Sequence, residues 1–485
     1  MLKKLKILMV SPECVPFAKT GGLGDCVASL SLHLAKLGHD VRIAMPLYTE
    51  IALPKSTIAN PEPMIVNLGY GTEYAKLWEH RNENLITYFI EFNRYFGRDG
   101  IYSGCYGDHC DNPERFAFMC RSALDLCYFK NWLPDLIHCH DWTTGLIPVY
   151  LCTTERNLPL GRTGSVFTIH NIQHHGLAPK SILKFSGIPD HVFRPDGVEA
   201  VGMVNMMKAG IYFSKKLTTV SHCYSKEIQT PNFGFGLENV LKFKAGDLIG
   251  ICNGIDISNW NPETDRLIPA NYSAGNMTGK LACKRELQKT FGLEQNDAIP
   301  IFCVVSRLAE QKGLDLLANI LHRVINHMAV QFVVLGNGEF WLESRLSELA
   351  SIYNSKIGTF IGFDEKLSHL VLAGSDLLVI PSRFEPCGLT QMYAMRYGTL
   401  PLAHSTGGLS DTIENYDKST NAGTGFLFSN LSHDALYNTL GWACATYYDD
   451  KINFNAMRYR AMQKDFSWKC SAEKYIEVYH WAMEI

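Results

Sequence analysis

No long hydrophobic run interrupts this chain. The longest uncharged apolar stretch, Trp142 to Thr154, is broken by Gly145 and Pro148 and falls short of the roughly 20 apolar residues a membrane helix needs. The basic start Met1 to Lys6 runs into Ser11-Pro12-Glu13, which leaves too short an apolar segment for a signal peptide. No charge of one sign dominates: a net charge of −3 argues against a nucleic-acid binder and suits a neutral polymer or a small substrate. No Cys-x-x-Cys pair occurs among the 15 cysteines. Their odd number and scatter predict buried, reduced thiols and a cytoplasmic protein rather than a disulfide framework. Gly-x-Gly-x-x-Gly is missing too, so there is no dinucleotide fingerprint. Gly275 to Lys280 imitates a P-loop but is one residue short, with Leu281 where Ser or Thr belongs. The histidine clusters His109-Cys110-Asp111, His138-Cys139-His140 and His174-His175 lack the spacing of a closed zinc site. Alternation along a strand is expected to turn the side chains of the second cluster to opposite faces.

What is present describes an ordinary globular protein. Hydrophobic residues make up 46% and charged residues 19% of 485, enough for two or three domains at roughly 150 residues each. Leu5 to Val10 reads as a buried strand. It is followed by Lys19-Thr20-Gly21-Gly22-Leu23-Gly24-Asp25, an amphipathic helix through Leu37, and a second strand from Val41 to Met45. Strand, glycine loop, helix and strand together specify an α/β fold, and the glycines let backbone approach a ligand. Asp135 to Trp142 and Gly164 to Ile169 are further strands, delivering Asp141 and His170 at their ends. Ser103 to Arg115 reads as irregular, Met203 to Tyr212 as a helix, and Pro262 to Gly279 as a surface connection.

In the second half, Ile299 to Val305 is a strand that opens into Ser306-Arg307-Leu308-Ala309-Glu310-Gln311-Lys312-Gly313. Two cations five apart at a strand end can grip a diphosphate, Arg307 as a fork and Lys312 as a point charge. Ser375 to Pro381 is another buried strand, Leu389 to Tyr397 a helix stopping at Gly398, and Glu385-Pro386-Cys387-Gly388 the turn between them. In open parallel sheets such turns hold ligands. A helix N-terminus there suits a phosphate, whereas Glu385 suits sugar hydroxyls, so the turn points to a nucleotide sugar. Thr406-Gly407-Gly408-Leu409-Ser410-Asp411 echoes the loop at Thr20, as two facing α/β halves would, with the ligand between them.

These motifs resemble the bacterial glycogen synthase and plant starch synthase family. The residues that carry the resemblance are Lys19 to Leu23, His138 to Trp142, Ile169 to Asn171, Asn253 to Asp256, Ser306 to Leu308 with Gln311 to Gly313, Pro381 to Gln391, and Ser405 to Leu409. The resemblance implies a GT-B type fold of two Rossmann-like domains facing a deep cleft, at residues 1–248 and 249–463. It also implies a C-terminal helix, residues 464–485, returning to the first domain. The implied reaction moves glucose, with retention, from ADP-glucose or UDP-glucose to the non-reducing 4-hydroxyl of an α-1,4-glucan such as glycogen. Lys19, Arg307 and Lys312 would hold the diphosphate, and Glu385 would contact the transferred glucose. Cys387, Gly388, Leu389 and Thr390 would bring backbone to glucose and phosphate. Asp141 and His170 would face the glucose; Gly21, Gly22, Asp25 and Asn253 would help to bind the donor.

Retaining glycosidases pair two carboxylates roughly 5 Å apart; no such pair is identified here, and the family's implied route is front-face, with the leaving phosphate taking the acceptor's proton. No Asp-x-Asp occurs, so neither metal nor cofactor is expected, with Arg307 and Lys312 in the metal's place. Two positions depart from relatives. Tyr393 stands where broader retaining enzymes carry a second Glu, and Phe363 stands where bacterial relatives often have Tyr. The alternatives are an enzyme of the same fold, such as a phosphorylase or a nucleotide-sugar epimerase, and a silent glucan-binding protein. Intact Lys19, Arg307, Lys312 and Glu385 speak against the last.

Overall fold

The computed structural model describes residues 4–105 and 107–484. The first three residues of the basic start, Tyr106 of the Ser103 to Arg115 stretch, and Ile485 at the end of the C-terminal segment lie outside the described residues. The chain divides into two compact units, Met1–Gly254 with Trp468–Ile485, and Ile255–Ser467. Each is a twisted, mostly parallel sheet with helices on it.

The first unit is built on a 10-stranded sheet. Its parallel part runs Leu248–Gly250, Lys216–Thr219, Gly164–Ile169, Leu136–His140, Lys6–Val10, Asp40–Pro46, Leu85–Glu91. Gly71–Asn82 then pairs antiparallel to Leu85–Glu91 and carries Ile58–Ala59 and Met64–Leu68 on it. The central strand Lys6–Val10 is apolar from Ile7 onward because both of its faces are covered. The chain leaves Lys6–Val10 toward Asp40–Pro46 and later returns to its other side as Leu136–His140. The strand order therefore reverses between these two strands, and ligands in open α/β sheets bind beyond the carboxyl ends of the strands at such a reversal. The loops that start there are Ser11–Gly21 and Asp141 onward. The helix Gly22–Lys36 buries Leu23, Cys26, Val27, Leu30 and Leu34, the three- and four-residue spacing of a one-sided helix. Trp468–Met483 packs on that helix and on the sheet, burying Trp468, Tyr475 and Tyr479. Its aromatic stripe is core.

The second unit is a six-stranded parallel sheet: Ile357–Ile361, Gln331–Gly336, Ile301–Val305, Leu377–Ile380, Leu400–His404, Phe426–Phe428. Phe302, Val304, Phe332 and Val334 fill the core on one face; Ile301, Cys303, Val333 and Leu335 fill it on the other. The order reverses again, between Ile301–Val305 and Leu377–Ile380. The turns beginning at Ser306 and at Pro381 are therefore neighbours.

Three local expectations need correction. Met203–Asn205 is a strand pairing with Leu177–Ala178 and Glu199–Ala200, and the helix starts only at Met206, where the Asn205 side chain caps it by accepting from Lys208 N–H. The described residues of Ser103 to Arg115 are largely regular: Ser103–Gly104 pairs with Gly107–Asp108, then comes the helix Asn112–Phe129, which draws Arg115 into the core as a donor to Tyr95 O and Ile101 O. Pro262 to Gly279 is not wholly surface, because Ile268 and Tyr272 join the second unit's core and Thr278–Thr290 is already helical. Lys280, at the end of the P-loop imitation, is buried, and its Nζ donates to Ala373 O, Tyr397 O and Thr399 Oγ1. No helix among the described residues is long and apolar enough to cross a membrane.

Candidate active site

In the second unit the reversal brings Lys312 and Glu385 together. Lys312 Nζ lies 2.7 Å from Glu385 Oε2, and Ser382 Oγ donates to the same oxygen at 3.0 Å. Among the described residues nothing donates to Glu385 Oε1. One carboxylate oxygen is thus fixed by the protein and the other stays available as an acceptor. Gln311 ties the two turns: its carbonyl accepts Arg383 N–H at 2.9 Å and its side-chain amide donates to Phe384 O at 3.4 Å. Arg383 forks onto Asp315, 2.7 Å on each arm, which anchors the Glu385 turn to the helix Leu314–His327. Arg307 is exposed and touches Gln311 Oε1 at 3.4 Å. Its guanidinium is left mostly to solvent on the same rim.

The Glu385 turn is also braced from the neighbouring strand, Leu400–His404. Gly408 N–H donates to Glu385 O at 3.0 Å, and His404 Nδ1 lies 2.8 Å from Ser382 O. The fit is too close for a side chain. A Cβ on Gly407, whose φ is +45°, would come 2.0 Å from Glu385 O, and one on Gly408 would come 2.0 Å from Cys387 O. The second Thr-Gly-Gly motif therefore serves the chain's own backbone. Past the turn, Thr390–Arg396 is helical, and Gln391 Nε2 donates back to Cys387 O at 3.0 Å and Gly388 O at 2.9 Å. Those bonds hold the Cys387 to Thr390 backbone in place. Phe363 stands 82% exposed in the turn after Ile357–Ile361. Tyr393 stacks on Trp260 at 4.1 Å, and Trp260 stacks in turn on His369 at 3.9 Å.

In the first unit the organising group is one the sequence reading passed over. Glu13 is buried at the end of the first strand. It accepts from Thr20 N–H at 2.7 Å, Thr20 Oγ1 at 2.8 Å, Gly21 N–H at 3.2 Å and Tyr102 OH at 2.7 Å. These bonds shape the Lys19 to Gly22 loop. Its partners are distant in sequence, so no local signal marked it. Lys19 pairs with Asp25 at 2.7 Å. Burial raises the Asp25 carboxyl above its ordinary value, while Lys19 pulls it back down. A Cβ on Gly21 would meet nothing within 4 Å, so here the chain leaves open space beside the cation. Asn253 is buried and accepts from Cys26 Sγ at 3.4 Å.

Asp141 has φ +59° and ψ −179°, a region open almost only to glycine, where strain of order 1–3 kcal/mol is held by the surroundings. Its Oδ1 accepts His170 N–H at 2.8 Å and Asn171 N–H at 3.4 Å, tying the two strand ends together. Burial pushes the Asp141 carboxyl up to about 7, against the pull of those two N–H groups. Because the folded value exceeds the ordinary 3.8, Asp141 contributes stability below pH 3.8 that is lost as pH climbs through about 7. Between these values wild type is expected to lose stability relative to Asp141→Asn in thermal unfolding; parallel curves would contradict this. His138 and His140, two residues apart, share one face of their strand with rings 4.1 Å apart. Cys139 between them turns to the opposite face, as the alternation of a strand predicts.

The matches to known proteins agree with this geometry. The starch synthase catalytic domain family matches residues 6–243, and the glycosyl transferases group 1 family matches residues 286–449. A protein named glycogen synthase 1 from Geobacter metallireducens is 44% identical over 483 residues, covering 99% of this chain and 96% of that one. The chain belongs to the glycogen and starch synthase family. Another member, the glycogen synthase of Treponema denticola, is 42% identical with 99% of both chains covered. The catalytic domain of starch synthase IV from Arabidopsis thaliana, solved bound to ADP and acarbose, superposes with TM-score 0.92 at 33% identity, covering 99% of this chain and 100% of that one. Sucrose-phosphate synthase from Thermosynechococcus elongatus, at 16% identity and TM-score 0.61 over 98% of each chain, shares the fold. The glycogen and starch synthase assignment and the two parallel-sheet units make the architecture GT-B.

Proposed function

We propose that this enzyme transfers glucose from ADP-glucose to the non-reducing 4-hydroxyl of an α-1,4-glucan, with retention and release of ADP. The observation that carries the reading is the Lys312–Glu385 pair at 2.7 Å at the reversal of the second sheet. A cation and a carboxylate with one free oxygen are what a sugar diphosphate asks for. Arg307 and Lys312 hold the diphosphate and stabilise the charge that develops on the leaving group. Glu385 Oε1 accepts from a glucose hydroxyl, and the Cys387, Gly388, Leu389 and Thr390 backbone lies against glucose and phosphate. In the first unit Lys19, Gly21, Gly22, Asp25 and Asn253 serve donor binding, and Asp141 and His170 contact the glucose. Both His170, held neutral with its imidazole pushed down to about 3 by burial, and the strained Asp141 suit hydrogen bonding and orientation rather than attack. The leaving phosphate takes the acceptor's proton, so the chain contributes positioning and electrostatics. Arg307 and Lys312 do the work a divalent ion does elsewhere. The ADP in the starch synthase IV relative supports an adenine donor over uridine.

The test is incubation with ADP-glucose and glycogen in the presence of a chelator. Elongated α-1,4 chains matching the ADP released are expected. ADP release without elongation, or transfer abolished by the chelator, would contradict the reading. In competition, UDP-glucose is expected to be the poorer donor.

A further inference from the structure

Three imidazoles meet at the ends of two neighbouring strands, and only one of them is used in the proposed reaction. His138 is satisfied on both sides: Nδ1 lies 2.9 Å from Tyr479 OH and Nε2 lies 2.6 Å from Thr168 Oγ1. His140 is not. Its Nδ1 lies 3.0 Å from His170 Nε2, while its own Nε2 is buried with no hydrogen-bond partner. His170 sits at the rim, 9% exposed, and no hydrogen bond among the described residues reaches its Nδ1. Burial drives all three rings toward the neutral form, so a single proton lies between His140 and His170.

That proton can sit in two places. If His170 Nε2 carries it, His140 must hold its own proton on Nε2, an N–H sealed in the core with no acceptor. If His140 Nδ1 carries it, the group lacking a partner is only a lone pair. Buried N–H groups without acceptors are the rarer shortfall in folded proteins, and the hydrogen bond made at one ring nitrogen decides which form the other takes. We propose that His140 is a positioning residue that donates from Nδ1 to His170 Nε2 and thereby fixes His170 as the Nδ1–H form, so that His170 offers the site a donor and recognises a substrate hydroxyl through its oxygen. The backbone of His170 is fixed by Asp141 Oδ1 at 2.8 Å, and His140 sets its proton. The second half of this proposal rests on the glucose-facing role given to His170 above; the first half does not.

The experiment is 15N spectroscopy of the full-length protein with labelled histidine, His170 being assigned by difference against His170→Gln. It is run without substrate and followed by transfer kinetics with ADP-glucose and glycogen. In wild type His170 is expected to show a protonated Nδ1 and a bare Nε2. His140→Asn, whose amide can donate from the place of Nδ1, keeps that spectrum and stays within about threefold of wild-type kcat/KM, whereas His140→Leu mixes the two forms and loses about tenfold, the size of one hydrogen bond. A wild-type His170 protonated on Nε2, or an unchanged spectrum in His140→Leu, would overturn the proton assignment. If His140→Leu does not fold, wild type and His140→Asn decide that point. The expected spectra with unchanged kinetics would overturn the recognition role of His170 and leave the proton assignment standing.

Discussion

Lys312→Ala is expected to lower glucose transfer by about 10²–10³-fold, the usual loss when one preorganised stabiliser of a developing charge is removed, in a protein that still folds. Two effects combine. The departing diphosphate loses a cation, and Glu385 loses the ammonium 2.7 Å from its Oε2. Ser382 Oγ remains on that oxygen, so the carboxylate keeps one donor but is free to turn. A double variant separates the two effects. Removing one member of a part-buried ion pair leaves an uncompensated charge, whereas removing both is often tolerated. Lys312→Met is therefore expected to melt below wild type, Lys312→Met with Glu385→Gln to recover most of the melting temperature, and both to stay as inactive as Lys312→Ala. Recovery of activity along with stability would mean that the pair is structural. Arg307→Ala, at an exposed side chain outside the pair, is expected to weaken donor binding with an unchanged melt.

Gly408→Ala should be the next most damaging single change. The added methyl would sit 2.0 Å from Cys387 O, so either the Gly407–Thr412 helix or the Glu385 turn must move, and the hydrogen bond from Gly408 N–H to Glu385 O stretches with it. A shift of about 1 Å at a positioned group costs on the order of 10²-fold in rate; that fall in kcat is expected, together with a lowered melting temperature. Gly21→Ala is the control. Its methyl meets nothing within 4 Å, so stability should hold and only donor affinity should fall. A Gly408→Ala enzyme with normal kcat would remove the bracing role assigned to the second glycine pair.

The two glycine motifs also mark how far the sequence could be read. Both were legible as strand-end turns, and so were the strands Ile301–Val305 and Leu377–Ile380, because a strand covered on both faces is a plain apolar run. The antiparallel strand Gly71–Asn82 was not. It carries Glu73, Lys76, Glu79 and Arg81 along a half-solvated ribbon, and no apolar run betrays it. Arg307, Lys312 and Glu385 were found because each follows such a run directly. Glu13 was missed because its meaning lies in Thr20, Gly21 and Tyr102, contacts that exist only once the chain folds back. The purpose of Gly407 and Gly408 was hidden for the same reason, since it depends on the Glu385 and Cys387 carbonyls beyond the neighbouring strand. His138 and His140 could have been paired from sequence by the two-residue period of a strand, which puts them on one face and Cys139 on the other.

Calorimetric titration of ADP and AMP into wild type and into the Arg307→Ala, Lys312→Ala double variant tests the central claim most directly. If these two cations hold a diphosphate, wild type binds ADP more tightly than AMP, and the double variant loses that preference while its weaker AMP binding changes little. Equal weakening of both nucleotides, or an ADP preference that survives, would contradict it.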